Sequence, residues 1–204
     1  MKKLILTLAV ILSATSVMAQ MREGTCTVQP KVGMNVSSLT DADKPVVELN
    51  FGMEAEYMLT DNFSLSAGVM VSNQGAKYDN ATDGKYTADL DYANVPIMAN
   101  YYVLPGLAIK AGVQPGFRTK AKVKTDDGSM DMDEYYKLAG VVLGDDYKIS
   151  KFDLAIPVGI SYEYNNFVLD ARYNWGLIKI ENIGDPYYNR VFQLTLGYKF
   201  ELEF

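Results

Sequence analysis

The chain closes on the stretch Phe192-Gln193-Leu194-Thr195-Leu196-Gly197-Tyr198-Lys199-Phe200-Glu201-Leu202-Glu203-Phe204. Every second residue from Phe192 to Phe204 is apolar, and the residues between them are polar, charged or glycine. Because side chains alternate between the two faces of a β-strand, this pattern predicts a strand with one apolar face and one polar face. An apolar face of this kind packs on a second sheet in a soluble sandwich, and it contacts lipid in an outer-membrane barrel.

The same alternation recurs along the chain and predicts eight strands. They span residues 27–37, 47–59, 63–73, 89–103, 107–119, 151–164, 167–177 and 190–202. Charged residues fall on the face opposite the apolar one, whereas a soluble ligand-binding barrel places apolar residues inside. The fold class that we predict is all-β, an eight-stranded antiparallel up-and-down transmembrane β-barrel.

The connections between these strands alternate in length. Short turns occur at residues 60–62, 104–106 and 165–166, and long polar segments follow the odd-numbered strands, at 74–88 and 120–150 among others. Short periplasmic turns and long external loops are typical of outer-membrane barrels. The pattern therefore predicts a multi-pass barrel in a Gram-negative outer membrane with both termini in the periplasm. Loops 74–88 and 120–150 are the segments expected to contact an extracellular or envelope protein partner.

The N-terminal residues have the layout of an export signal. Lys2 and Lys3 precede an apolar core at residues 4–12, and Val17-Met18-Ala19 supplies small residues for cleavage. The apolar core is shorter than the ~20 residues that a membrane-spanning helix needs. We expect residues 1–19 to be a signal peptide and residues 20–204 to form the barrel domain.

The composition argues against several classes of function. The formal net charge is −6, which disfavours nucleic acid as a partner. The apolar faces of the strands are expected to contact outer-membrane lipid. The chain has no histidine, which excludes the histidine-dependent hydrolase and acyltransferase designs known from such barrels, and no motif marks a Ser-Lys dyad. We therefore predict no enzyme activity, no catalytic residue and no cofactor. The single cysteine, Cys26, cannot form an internal disulfide.

The segment 120–150 is rich in acidic residues, but their spacing does not match a calcium-binding EF-hand loop. A solvated acidic loop is the preferred interpretation, and we predict no metal site. Asp131 and Glu134 also have the spacing to cap a short helix. The residues concerned are Asp126, Asp127, Asp131, Asp133, Glu134, Asp145 and Asp146.

The predicted inner face carries charges of both signs on neighbouring strands. A functional interpretation makes them the lining of an ion or solute path. The structural interpretation makes them a salt-bridged network that fills a narrow lumen, and it is preferred because about eight strands leave room only for side chains. The predicted lumen charges are Glu54, Glu56, Lys110, Arg118, Glu163, Asp170, Arg172 and Lys199.

Several ordered segments are similar to a known family. They include Pro30-Lys31-Val32-Gly33-Met34-Asn35, residues 54–65, 72–77 and 92–96, Leu169-Asp170-Ala171-Arg172-Tyr173-Asn174-Trp175-Gly176-Leu177, and residues 196–200. With these segments the chain resembles the PorT-like outer-membrane β-barrel proteins of Bacteroidetes. The resemblance implies an outer-membrane barrel and says little about activity, although one branch of the family is linked to protein secretion.

Three functions remain open from the sequence. The leading hypothesis is a structural or loop-mediated interaction role for a barrel whose lumen is filled by side chains. The alternatives are a channel or transporter for ions or small solutes, and an accessory of a protein-secretion system. The sequence does not name a ligand or a partner.

Overall fold

The computed structural model describes residues 22–39, 44–80, 84–125, 128–131, 150–179 and 188–203. These residues form one antiparallel sheet of eleven strands. The strands are β1 (Cys26–Leu39), β2 (Lys44–Thr60), β3 (Phe63–Asn80), β4 (Gly84–Asn94), β5 (Ile97–Leu104), β6 (Leu107–Thr125), β7 (Gly128–Asp131), β8 (Phe152–Tyr164), β9 (Phe167–Lys179), β10 (Tyr188–Tyr198) and β11 (Phe200–Leu202). Within these ranges, no helix is long and apolar enough to cross a membrane.

The sheet closes on itself as an eight-stranded barrel. Each strand pairs with the next around the ring, and β1 completes the circle by pairing with β10, from Lys31↔Gly197 to Leu39↔Asn189, and with β11. β4 and β5 form one barrel strand interrupted at Val95-Pro96, and β10 and β11 form another interrupted at Lys199. The predicted fold class is confirmed. Closure leaves no unpaired sheet edge for lipid to meet.

The two faces of the sheet differ sharply in polarity. Outward residues such as Val32, Leu49, Phe51 and Ile160 are more than half exposed. Inward residues are buried although many are polar or charged, and Asp170 and Asn50 are both 0% exposed. Apolar residues outside and polar residues inside are the reverse of the distribution in a soluble protein, and a lipid-facing barrel requires this arrangement.

At one end of the barrel, here called the turn end, three tight turns connect neighbouring strands. Asn165 and Asn166 both have positive φ, at 47° and 68°, which is the conformation of a type I′ hairpin turn. Gly106 also has positive φ, at 77°. At the third turn, the backbone N–H groups of Asn62 and Phe63 donate to Oγ1 of Thr60. The opposite end, from which the long connections leave, is here called the loop end.

The predicted loop 74–88 is wrong in its extent. β3 continues to Asn80 and β4 begins at Gly84, and they pair without interruption from Met70↔Asn94 to Asn80↔Gly84. Beyond Val71, β3 therefore continues for about 30 Å at the usual rise per residue. A polar sequence can remain in a strand there, since backbone hydrogen bonding is satisfied by the hairpin and no lipid-facing alternation is needed.

The predicted loop 120–150 is also partly strand. β6 runs on to Thr125, and its last residues pair with both β4 and β7. β6 has a bulge at Thr119, which has no paired residue on β4 between the pairs Tyr92↔Arg118 and Asp91↔Lys120. Beyond the bulge the two faces of β6 exchange, so that Arg118 is half-buried whereas Lys120 is exposed. The predicted helix cap at Glu134 and the acidic residues other than Asp131 lie outside the described residues. Asp131 is exposed on β7.

Candidate functional site

A buried carboxylate, Asp170 of β9, is the centre of an ion cluster in the lumen. Its Oδ2 lies 2.7 Å from Nζ of Lys110 and 3.2 Å from Nζ of Lys31. Arg172 donates from Nε to Oδ1 of Asp170 and from Nη2 to Oδ2, both at 2.7 Å. The side chain of Asp170 has no solvent exposure, so its charge is stabilised by three cationic groups instead of by water.

A second carboxylate, Glu54 of β2, completes this central cluster. Its Oε2 accepts hydrogen bonds from Nζ of Lys31 at 2.5 Å and from Nη2 of Arg172 at 2.8 Å. Nη1 of Arg172 lies 2.5 Å from Oε1 of Glu54. The planar guanidinium thus joins two carboxylates that are 116 residues apart and stand on different strands.

Strand alternation and one glycine make room for the cluster. Gly159 of β8 pairs with Lys110 of β6 on one side and Arg172 of β9 on the other. A Cβ atom at position 159 would lie 3.0 Å from Cα and Cγ of Arg172. The absence of a side chain at Gly159 leaves room for the side chain of Arg172, which enters the lumen from the adjacent strand β9.

A separate group of charges fills the lumen near the turn end. Nζ of Lys199 lies 2.7 Å from Oε2 of Glu163 and 3.0 Å from both Oε2 of Glu56 and the hydroxyl of Tyr102. Glu56 also accepts from Nε2 of Gln29 at 2.7 Å and from the Tyr102 hydroxyl at 2.6 Å. Lys199 reaches these groups from the break between β10 and β11, where its backbone N–H bonds the carbonyl of Asn166.

The central and turn-end groups balance each other in charge, because the central group has three cations and two carboxylates and the turn-end group has one cation and two carboxylates. Each of the four cations has a carboxylate within ion-pair distance, and each of the four carboxylates has a cation. Their ordinary charges sum to zero. The eight residues are Lys31, Lys110, Arg172, Lys199, Glu54, Glu56, Glu163 and Asp170.

Toward the loop end, amide side chains replace the charges. Asn35 donates to Oγ of Ser72 at 2.5 Å and accepts from Nδ2 of Asn50 at 2.5 Å. Asn189 donates to Oε1 of Gln74, and Asn174 donates to Oε1 of Gln193 at 3.3 Å. A small cavity lies in this amide layer, and Asp153 is the only acidic residue among the side chains that line it.

Seven of the eight predicted lumen charges belong to the two groups, and one does not. Glu54, Lys110, Asp170 and Arg172 meet in the central cluster, and Glu56, Glu163 and Lys199 meet near the turn end. Arg118 lies eight residues beyond Lys110 on β6, about 26 Å further along the strand, opposite Tyr92 of β4. Its distance excludes it from the central cluster.

The sequence analysis overlooked three contributors to the lumen. Lys31 has the inward alternation of β1 and binds both central carboxylates, so its parity alone would have included it. Tyr102 has the inward parity of β5 and bridges Glu56 and Lys199. Asp153 has the inward parity of β8 and lines the loop-end cavity.

The described ranges contain no group of three or more acidic, histidine or cysteine side chains arranged around a common point. The four carboxylates of the central and turn-end groups are engaged by lysine and arginine.

A family model agrees with this architecture. The model for the outer membrane protein beta-barrel domain matches residues 18–182, which is most of the chain. The chain belongs to this outer-membrane β-barrel family. The closed ring of lipid-facing strands and the family together place it in the outer membrane of a Gram-negative cell.

Solved structures share the fold at low sequence identity. Ail, the attachment invasion locus protein of Yersinia pestis, solved with the heparin analogue sucrose octasulfate, aligns with a TM-score of 0.52 and 17% identity, over 87% of this chain and 99% of Ail. Neisserial surface protein A aligns with a TM-score of 0.51 and 16% identity, over 87% of this chain and 100% of that protein. No curated protein matches the chain significantly. At these identities the likeness concerns the fold alone.

Proposed function

We propose that this outer-membrane barrel has a structural or loop-mediated interaction role, with a lumen closed by its own side chains and no catalytic activity. The observation that carries the proposal is the central ion cluster. Arg172 and Lys110 extend across the lumen from β9 and β6 to carboxylates on β2 and β9. At the level of the central and turn-end groups, side chains that occupy the lumen and together carry no net charge leave neither space nor uncompensated charge for a permeating ion.

The energetics of buried ion pairs support a structural role for this network. Removing charges from water is costly, and the cost is recovered only where geometry is good and further hydrogen bonds are made. The central groups meet both conditions, with donor–acceptor distances of 2.5–3.2 Å and side-chain exposures of 4% or less. A transported ion would have to break several of these contacts at once.

The first alternative is a channel or transporter for ions or small solutes, which the many polar and charged side chains of the lumen favour. The two functions predict different effects of a substitution at Arg172. Reversing the charge at Arg172 changes conductance in a channel, whereas it mainly impairs folding when the network is structural. The absence of histidine from the whole chain argues against the catalytic designs of other barrel enzymes.

The second alternative is an accessory role in protein secretion, which follows from the resemblance to PorT-like proteins of Bacteroidetes. Deleting such an accessory would abolish export of secreted cargo while growth stays normal. In either case we propose that residues 1–19 are removed as a signal peptide, that residues 20–204 form the barrel, and that both termini lie in the periplasm. Short turns at one end of the barrel support this orientation.

The interaction role is assigned to the long connections at the loop end. The hairpin formed by β3 and β4 extends the barrel wall beyond its lipid-facing band and offers a rigid surface to a partner. Ail was solved with a sulfated polyanion. The present chain is acidic, with a net charge of −6, so we propose a protein partner rather than a polyanion.

Shortening the hairpin tests this assignment. Ala76 pairs with Ala88, so replacing residues 77–87 by Asn-Gly gives a two-residue hairpin with the register preserved. We expect chemical cross-linking in intact cells to yield a protein adduct with the natural barrel and to lose it with the shortened one. A control barrel keeps the hairpin length but carries residues 77–87 in scrambled order.

Two outcomes of the cross-linking experiment would contradict the assignment of partner binding to the hairpin. If the adduct persists with both altered hairpins, or if the natural barrel forms none, the hairpin does not bind a protein partner. Folding of each variant is checked first by the tryptophan fluorescence of Trp175, the only tryptophan in the chain.

A further inference from the structure

Asp153, at the start of β8, differs from the four carboxylates of the central and turn-end groups. Glu54, Glu56, Glu163 and Asp170 each lie within ion-pair distance of a lysine or arginine. Among the residues that the structure describes, no lysine or arginine is this close to Asp153, which is half-buried. Its carboxylate accepts the backbone N–H of Leu154 at 2.8 Å and a hydrogen bond from the side chain of Asn189, both of which are neutral donors. Within the described part of the chain, it is an inward carboxylate with no cationic side chain at ion-pair distance.

The small cavity in front of Asp153 is lined by amide side chains from several strands. Gln74 comes from β3, Gln114 from β6, Asn174 from β9 and Asn189 from β10. Gln74 and Asn189 are hydrogen-bonded to each other. Asn174 is 4% exposed, and its Oδ1 is buried without a hydrogen-bond partner, while its Nδ2 donates to Gln193.

An unpartnered buried oxygen and an uncompensated carboxylate therefore border the same cavity. Both groups are acceptors, and a buried acceptor left without a donor or cation costs free energy. A water molecule would satisfy Asn174 but would leave the charge of Asp153 uncompensated. A cation satisfies both.

We propose that this cavity binds a calcium ion, with the carboxylate of Asp153 and the amide oxygens of Asn174 and Gln114 as protein ligands. Calcium takes carboxylate oxygens, Asn and Gln carbonyl oxygens and water in flexible geometry, which suits long amide side chains. Magnesium requires a near-ideal octahedron of short bonds and fits this set less well.

The donor set also predicts the strength and the consequence of binding. A single carboxylate places the affinity in the weak range typical of extracellular calcium modules, on the order of 10⁻⁴–10⁻³ M. The three proposed ligands come from β6, β8 and β9, which are consecutive in the sheet, so a bound ion would join these strands at the loop end of the barrel.

Calorimetric titration tests the site, with CaCl₂ added to the refolded barrel in nanodiscs of zwitterionic lipid. We expect one saturable calcium site, weakened at least about tenfold by Asp153→Asn. Asp91→Asn is the matched control, because Asp91 lies at the same end but on the outer wall, where it pairs with Lys120 at 3.6 Å. Acidic residues in the segment 126–146 are unchanged in both variants, so calcium bound there persists in both.

A second variant adds a ligand charge instead of removing one. Asn174→Asp is nearly isosteric and places a second carboxylate at the cavity, so calcium should bind about tenfold more tightly or better. The proposal is overturned if Asp153→Asn and Asn174→Asp both titrate like the natural barrel, or if no calcium binds up to about 10 mM, tenfold above the weakest expected constant. Equal binding of sodium would also overturn it, since the site would then hold a monovalent counter-ion only.

Discussion

Replacing Asp170 by Asn is expected to destabilise the barrel by about 3–5 kcal/mol, the usual cost of removing one partner from a buried ion pair. The substitution keeps the size of the side chain and removes only its charge. Lys31, Lys110 and Arg172 then surround a single carboxylate, Glu54, in a site closed to water. The free energy of unfolding is measured by urea titration of the barrel in lipid vesicles, followed by the fluorescence of Trp175.

The control is the same substitution at Asp91. Its ion-pair partner Lys120 is 63% exposed and lies 3.6 Å away, and an asparagine at position 91 keeps an oxygen that can accept the hydrogen bond from Asn73. Asp91→Asn is therefore expected to cost about 1 kcal/mol or less. The double variant Asp170→Asn with Lys110→Met should recover part of the loss, because Lys110 makes its closest ion pair with Asp170. Equal costs at Asp170 and Asp91 would contradict a structural role for the central cluster.

Replacing Leu194 by Arg is expected to cost about 2–4 kcal/mol in a bilayer, the range measured for outward cations near the midplane of such barrels. Leu194 lies midway along β10, faces outward with 37% exposure, and pairs with Met34. An arginine there places its charge among lipid chains rather than in the lumen. The same urea titration measures the effect.

Leu202 supplies a matched position at another depth. It is 39% exposed and lies in β11, at the turn end of the same barrel strand, so Leu202→Arg can reach the headgroups and should cost about 0–1 kcal/mol. The contrast tests the lipid face directly. Arginine tolerated equally well at both depths would show that Leu194 does not face the hydrocarbon core.

The sequence was sufficient to predict the ring of strands and the face on which most residues lie. Two-residue alternation depends only on the geometry of a strand, and it assigns Leu194 outward and Asp170 inward without any tertiary information. The turns at Thr60, Gly106 and Asn165-Asn166 followed from residues that tolerate tight or left-handed backbone. This local information determined the barrel topology once an outer-membrane location was assumed.

Other features depend on how distant strands meet. Alternation placed Arg118 with the lumen charges, but it does not give depth along the barrel, and Arg118 lies far from Asp170. The bulge at Thr119 and the continued pairing of β3 with β4 arise from hydrogen bonds between chain segments, which polar sequences do not reveal. The isolation of Asp153 was likewise invisible, since it depends on the positions of every neighbouring cation.

Single-channel recording tests the central claim most directly. The refolded barrel is delivered to a planar bilayer by fusion of proteoliposomes that contain the folded protein. The account predicts no openings at any applied voltage, because the ion-paired side chains of the central and turn-end groups fill the lumen. Reproducible discrete openings by the natural barrel, altered in size by charge reversal at Arg172, would contradict it and make the lumen charges the lining of a channel.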